Sequence, residues 1–230
     1  MELQEIDLAN INLAEQQSNI SDSACTAYSL VNLVRMLGYE VSENQLSTLK
    51  EEAASQDPSG LTADQRSDFL EKFGLINRNL GNVFSEYSQD KTKLLDEFVK
   101  ELKQHPVSFV ISSALSLKKG SSSLSGTSES GKAETGHQVV AAFINGRVQI
   151  IDPYAPRSRY SFNPTNPESM NNLLTTLTSR ATQYYLEQDS KPVTRDSVFA
   201  EGKRRLESVD YASFIRASMT NNEMYTAVKK

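Results

Sequence analysis

An α+β fold with a helix-rich N-terminal half, a small antiparallel sheet and a helical C-terminal extension is predicted by three observations. Four stretches before residue 105 carry apolar residues at helical spacing and end at glycine or proline. Asn145-Gly146 stands between two apolar runs, the strongest short-range signal for a two-residue hairpin. Beyond two breaks, Asn163-Pro164-Thr165-Asn166-Pro167 and Lys191-Pro192, the chain is patterned as amphipathic helix. With 230 residues the chain can bury a full core. The expected division is a core over 1–162 and an extension over 163–230 packed on it.

Taken in order, the first helix is expected from about Ser23 to Leu37, with Ser21, Asp22 and Ser23 as cap candidates and Gly38 as its stop. Further helices are expected over 43–54, 62–73 and 91–104, with Ser47, Ser59 and Thr62 as nearby caps. His105-Pro106 reads as a helix exit into a strand over 107–112, because a residue before proline is driven toward extended backbone. Residues 116–135, rich in Ser, Gly and Lys, read as a flexible loop. Within that loop Gly126 to Ala133 nearly spells a phosphate-binding loop. Ala133 occupies the hydroxyl position needed for magnesium, and neither a buried strand nor an apolar helix flanks it. The hairpin pairs 138–144 with 147–153, the segment PYAPRSRYSF adds an edge strand, and a helix follows from about Glu168 to Leu186. One or two amphipathic helices with Phe199, Leu206, Tyr211, Phe214 and Ile215 as anchors complete the extension.

Charge and composition exclude several functional classes. A net charge of −5, with no basic cluster longer than Lys203-Arg204-Arg205, argues against a nucleic-acid partner. No apolar run approaches the roughly 18 residues of a membrane span. Residues 1–19 hold Glu2, Glu5, Asp7 and Glu15 where a signal peptide would be basic and then apolar, so synthesis in a cytosol is expected. Cys25 is the single cysteine, which excludes an intrachain disulfide. With only His105 and His137 beside it, a structural zinc site lacks its usual ligands.

The lone thiol stands where chemistry is plausible. Cys25 falls in the first turn of the first helix, where exposed N–H groups and the positive end of the helix dipole favour a thiolate. In the hairpin, Ile144 should face Arg147, Ala142 Gln149, Ala141 Ile150 and Val139 Asp152. Alternation then puts His137 and Asp152 on one face as diagonal neighbours, roughly 7 to 8 Å apart at the backbone and within side-chain reach. An imidazole held by a carboxylate is the orienting half of a nucleophilic triad, and Cys25 is the candidate nucleophile.

Cys25 at the head of a long N-terminal helix, Gly136-His137 followed by VVAAF, and VQIIDP at 148–153 together resemble the papain-like cysteine peptidases. The similarity is greatest to the compact bacterial branch that removes double-glycine leader peptides. It extends over about residues 17–156 and takes in LTADQRSDFLEKFGL and LLDEFVKELKQHPVSFVIS, a helix ending in glycine and a helix leading through proline into a buried strand. The resemblance implies a papain-like fold and a Cys25–His137–Asp152 triad that cleaves a protein or peptide substrate, with no metal or organic cofactor. It also implies a side-chain amide upstream of the nucleophile to stabilise the oxyanion, for which Asn19, six residues before Cys25, and Gln17 are the candidates. Thr26 stands where the family usually has glycine, and the chain has no tryptophan. Glutamine deamidation or transglutamination on the same triad, and a catalytically silent interaction module, are the competing functions. A bacterial effector delivered into another cell by a specialised secretion system and a housekeeping cytosolic peptidase would share these features.

Overall fold

The first helix begins at Ala24 and ends where Gly38 and Tyr39 turn their N–H groups back onto the carbonyls of Arg35 and Val34, the six-residue closure that satisfies a helix C-terminus. The structure is a computed structural model. It describes residues 8–16, 24–56, 60–81, 84, 90–112, 136–153, 156, 160–166, 169 and 224–230. Among these, four helices and a six-stranded antiparallel sheet make an α+β architecture.

The helices are α1 (Ala24–Met36), α2 (Glu43–Ser55), α3 (Ala63–Glu71) and α4 (Lys91–Leu102). The start of α2 is fixed by a capping box: Ser42 Oγ accepts from Gln45 N–H while Gln45 Oε1 accepts from Ser42 N–H. Thr62 and Gln65 repeat the device at α3, and Asp90 accepts from Lys93 N–H at α4. Ser47, expected as a cap, lies inside α2. The preceding Ser42 has the extended backbone and the partner three residues on that a cap requires.

The strands are β1 (Leu75–Asn79), β2 (Val107–Ser112), β3 (Gly136–Ile144), β4 (Arg147–Ile151), β5 (Tyr160–Phe162) and β6 (Tyr225–Lys229), arranged in the order β1-β6-β2-β3-β4-β5. The hairpin register is the expected one, with Ile144 opposite Arg147, Ala142 opposite Gln149 and Ala141 opposite Ile150. Asn145 and Gly146 both take positive φ, 51° and 75°, as a turn matching the strand twist demands. The edge strand predicted after Asp152 is β5, paired with β4.

One expectation is overturned at the C-terminus. The extension over 163–230 is not helical to its end: Tyr225–Lys229 form β6, which lies between β1 and β2 inside the sheet. Met224, Tyr225, Thr226 and Ala227 are buried, and Thr226 Oγ1 donates to Pro106 O at 2.7 Å. A short strand buried on both faces repays its ordering by completing the ladders of two neighbours, so its end of the chain belongs to the core and not to an appendage. The expected loop over 116–135 and the helices expected between 168 and 215 lie outside the described residues.

Both faces of the sheet are covered. Val140, Ala142, Ile144 and Ile151 join Leu30, Val31, Leu33 and Val34 of α1 in one apolar cluster. On the opposite face Phe98 of α4 meets Phe84 and Phe109 edge-on at centroid distances of 6.3 and 5.9 Å, a preferred aromatic geometry. Helix α1 is thus buried along nearly its whole surface.

Three polar side chains of α1 each find a partner on a different segment. Thr26 Oγ1 accepts from Leu61 N–H at 3.1 Å, Ser29 Oγ donates to Gln138 O at 2.8 Å, and Asn32 bonds both the N–H and the C=O of Ala14 at 2.7 and 3.0 Å. The contact at Thr26 leaves no room beside it. A Cβ on Gly60, whose φ is +69°, would lie 2.5 Å from Thr26 Cγ2. Gly60→Ala is therefore expected to destabilise the protein by about 2 to 4 kcal/mol, combining the left-handed backbone penalty with overpacking. A denaturant midpoint equal to that of the unaltered chain would refute this account of the contact.

Candidate active site

His137 is the second residue of β3, pinned opposite Ile111 of β2 in the interior of the sheet. Asp152 follows the last residue of β4 directly. The ladder was expected to run through Val139 and Asp152 to Gln138 and Pro153, but it closes at Val140 and Ile151, because Pro153 has no N–H to continue it. Release from the ladder leaves Asp152 in reach of the imidazole: His137 Nε2 and Asp152 Oδ1 are 2.8 Å apart. Both residues are buried, at 2% exposure each.

Cys25 also bears on His137, through a side-chain hydrogen bond and through its charge. Cys25 lies in the first turn of α1 and is buried. Three residues expected to share a site from sequence, Cys25, His137 and Asp152, are thus brought together. Gln17 and Asn19, the expected oxyanion side chains, lie outside the described residues. Gln16 is described: it is buried, and its backbone N–H donates to Pro153 O at 2.8 Å, tying the N-terminal segment to the turn that carries Asp152.

Electrostatics favour a charged imidazole. Burial is the largest single influence on His137 and works to lower its pKa. The charge of Asp152, its hydrogen bond, and the hydrogen bond and charge of Cys25 together outweigh burial and push His137 up to about 10 from its usual 6.5. A histidine raised on folding holds more protons in the native than in the unfolded state between those values. Its contribution to stability is therefore complete below about pH 6.5 and lost as pH rises through about 10. Urea midpoints should fall across that window in the unaltered protein and less steeply in Asp152→Asn. Parallel profiles would contradict the assignment.

Two members of the neighbourhood were not singled out in the sequence. Ser29 and Asn32 follow Cys25 by four and seven residues, a spacing that puts all three on one face of α1, and both are fully buried. Hydroxyl and amide groups at that spacing behind a cysteine, inside an otherwise apolar helix, are the signal that could have found them.

Among the described residues, no three or more His, Cys, Asp or Glu residues are grouped so as to hold a metal ion, and no helix is long and apolar enough to cross a membrane. Comparisons with family models, with curated proteins and with solved structures found no match to this chain.

Proposed function

We propose that the protein is a cysteine peptidase of papain-like type that cleaves a protein or peptide substrate through Cys25, His137 and Asp152. The observation that carries this reading is the buried 2.8 Å bond between His137 Nε2 and Asp152 Oδ1, beside the chain's only thiol at a helix start. A carboxylate on one ring nitrogen fixes the tautomer and ring orientation and leaves the other nitrogen for the nucleophile.

In the proposed reaction His137 holds the proton that the thiol has given up, and Cys25 Sγ attacks the substrate carbonyl carbon. The backbone N–H of Cys25, at the start of α1, stabilises the developing oxyanion in this reading, an interaction that strengthens as charge accumulates. The tetrahedral intermediate collapses as the C–N bond breaks and His137 passes its proton to the leaving amine. Water then attacks the thioester, His137 takes its proton, and the carboxylic acid leaves with regeneration of the thiolate. Asp152 stays ionised throughout and stabilises the imidazolium.

The test is incubation of a complex peptide mixture with the protein and with Cys25→Ala, followed by mass spectrometry. The reading expects new peptide termini that appear only with the intact cysteine. Glutamine-to-glutamate mass shifts without new termini would replace it with a deamidase, and identical mixtures would remove catalysis from the account.

A further inference from the structure

Resting on the Cys25–His137 pairing proposed above, we infer that Ser29 is a positioning residue that sets the register between nucleophile and base. Cys25 lies one helical turn before Ser29, and His137 lies one residue before Gln138. The hydrogen bond from Ser29 Oγ to Gln138 O, 2.8 Å long and fully buried, joins these two points across 109 residues of sequence. It ties the helix that bears the thiol to the strand that bears the imidazole within one residue or one turn of each reacting group.

Gln138 is itself pinned. Its Nε2 donates to Ser108 Oγ at 2.7 Å, and Ser108 Oγ donates to Val139 O at 3.4 Å. Ser29, Gln138 and Ser108 thus form a polar thread through a core otherwise built from Val, Leu, Ala and Phe, and all three are buried. A core position of this kind is filled more simply by Ala or Val. A hydroxyl retained there contributes directional registry that apolar packing, being non-directional, does not supply. Since proton sharing between sulfur and nitrogen depends steeply on their separation and alignment, a small slide of α1 along β3 would weaken the pair without unfolding the protein.

The test compares iodoacetamide labelling of Cys25 over a range of pH in the unaltered protein, Ser29→Ala, Ser29→Thr and Ser29→Val, with thermal midpoints measured alongside. The expected result is labelling at mildly acidic pH slowed roughly three- to tenfold in Ser29→Ala, the range for one buried neutral hydrogen bond. Ser29→Thr and Ser29→Val have the same shape and differ in the hydroxyl, so threonine should label faster than valine. That pair gives the answer even if Ser29→Ala is poorly folded. A Ser29→Ala profile superposing on the unaltered one, or Thr and Val variants that label alike, would overturn the role of Ser29. Slow labelling of the unaltered protein would instead defeat the Cys25–His137 pairing itself.

Discussion

Cys25→Ala is expected to abolish thiol-dependent turnover while leaving the fold in place. The substitution removes one buried sulfur from a helix whose other side chains are fixed independently, by Thr26 to Leu61, Ser29 to Gln138 and Asn32 to Ala14. Loss of a group that small from a site already filled on all sides costs about 1 kcal/mol, so the thermal midpoint should move by only a few degrees. Chemistry has no comparable reserve, because Cys25 is the chain's only thiol. Circular dichroism melts paired with the peptide-mixture assay check both halves. Undiminished cleavage by Cys25→Ala would remove the nucleophile from the mechanism.

Asp152→Asn should be nearly as damaging to activity by a different route. The substitution preserves shape and leaves a side chain able to hydrogen bond, yet it removes the largest influence that raises His137. Burial, which lowers the pKa, is then opposed only by Cys25, and His137 should titrate well below about 10. A less basic imidazole is a poorer acceptor for the thiol proton and a weaker holder of the proton that the leaving amine needs. In serine peptidase triads the equivalent loss of orientation and charge reduces turnover by roughly 10⁴, and a similar or smaller effect is expected here. Because the chain has only two histidines, His105 and His137, ring-proton NMR can follow the titration directly. A His137 midpoint unmoved by Asp152→Asn would show that the carboxylate does not control the base.

The elements legible in the sequence were those with local causes. The turn at Asn145-Gly146 needs two positive φ values, and few dipeptides supply them so readily; once the turn is fixed, alternation dictates every partner across β3 and β4. The approach of His137 to Asp152 follows from that register together with the end of the ladder before Pro153. Helix α1 was legible because Gly38 stops it and apolar residues fill it. Strand β1, by contrast, is LINRN, with only Leu75 buried, and nothing in its composition separates it from a loop. Strand β6 has β-forming Tyr, Thr and Val, but its partners lie in β1 and β2, with more than a hundred residues between β6 and β2. Non-local pairing of that kind leaves little trace in a five-residue window, so the segment passed for the end of a helix.

The same division governs the site. Cys25, His137 and Asp152 belong to residue types whose chemistry is specific enough to draw attention wherever they occur. Ser29 and Asn32 do not. A serine inside a helix is ordinarily a mild propensity defect, and its meaning emerges only when the fold delivers Gln138 O to its hydroxyl.

The central claim, a thiolate–imidazolium pair at Cys25 and His137, is tested most directly by the rate of iodoacetamide alkylation from about pH 4 to about pH 9, compared between the unaltered protein and His137→Gln. Glutamine retains a donor for Asp152 and so limits the cost of leaving a buried carboxylate unpaired. The account predicts labelling of the unaltered protein that is fast at mildly acidic pH and is lost in His137→Gln. Slow labelling in both proteins, rising together as an ordinary thiol titrates, would contradict it and return Cys25 to the role of a small residue packed in the core.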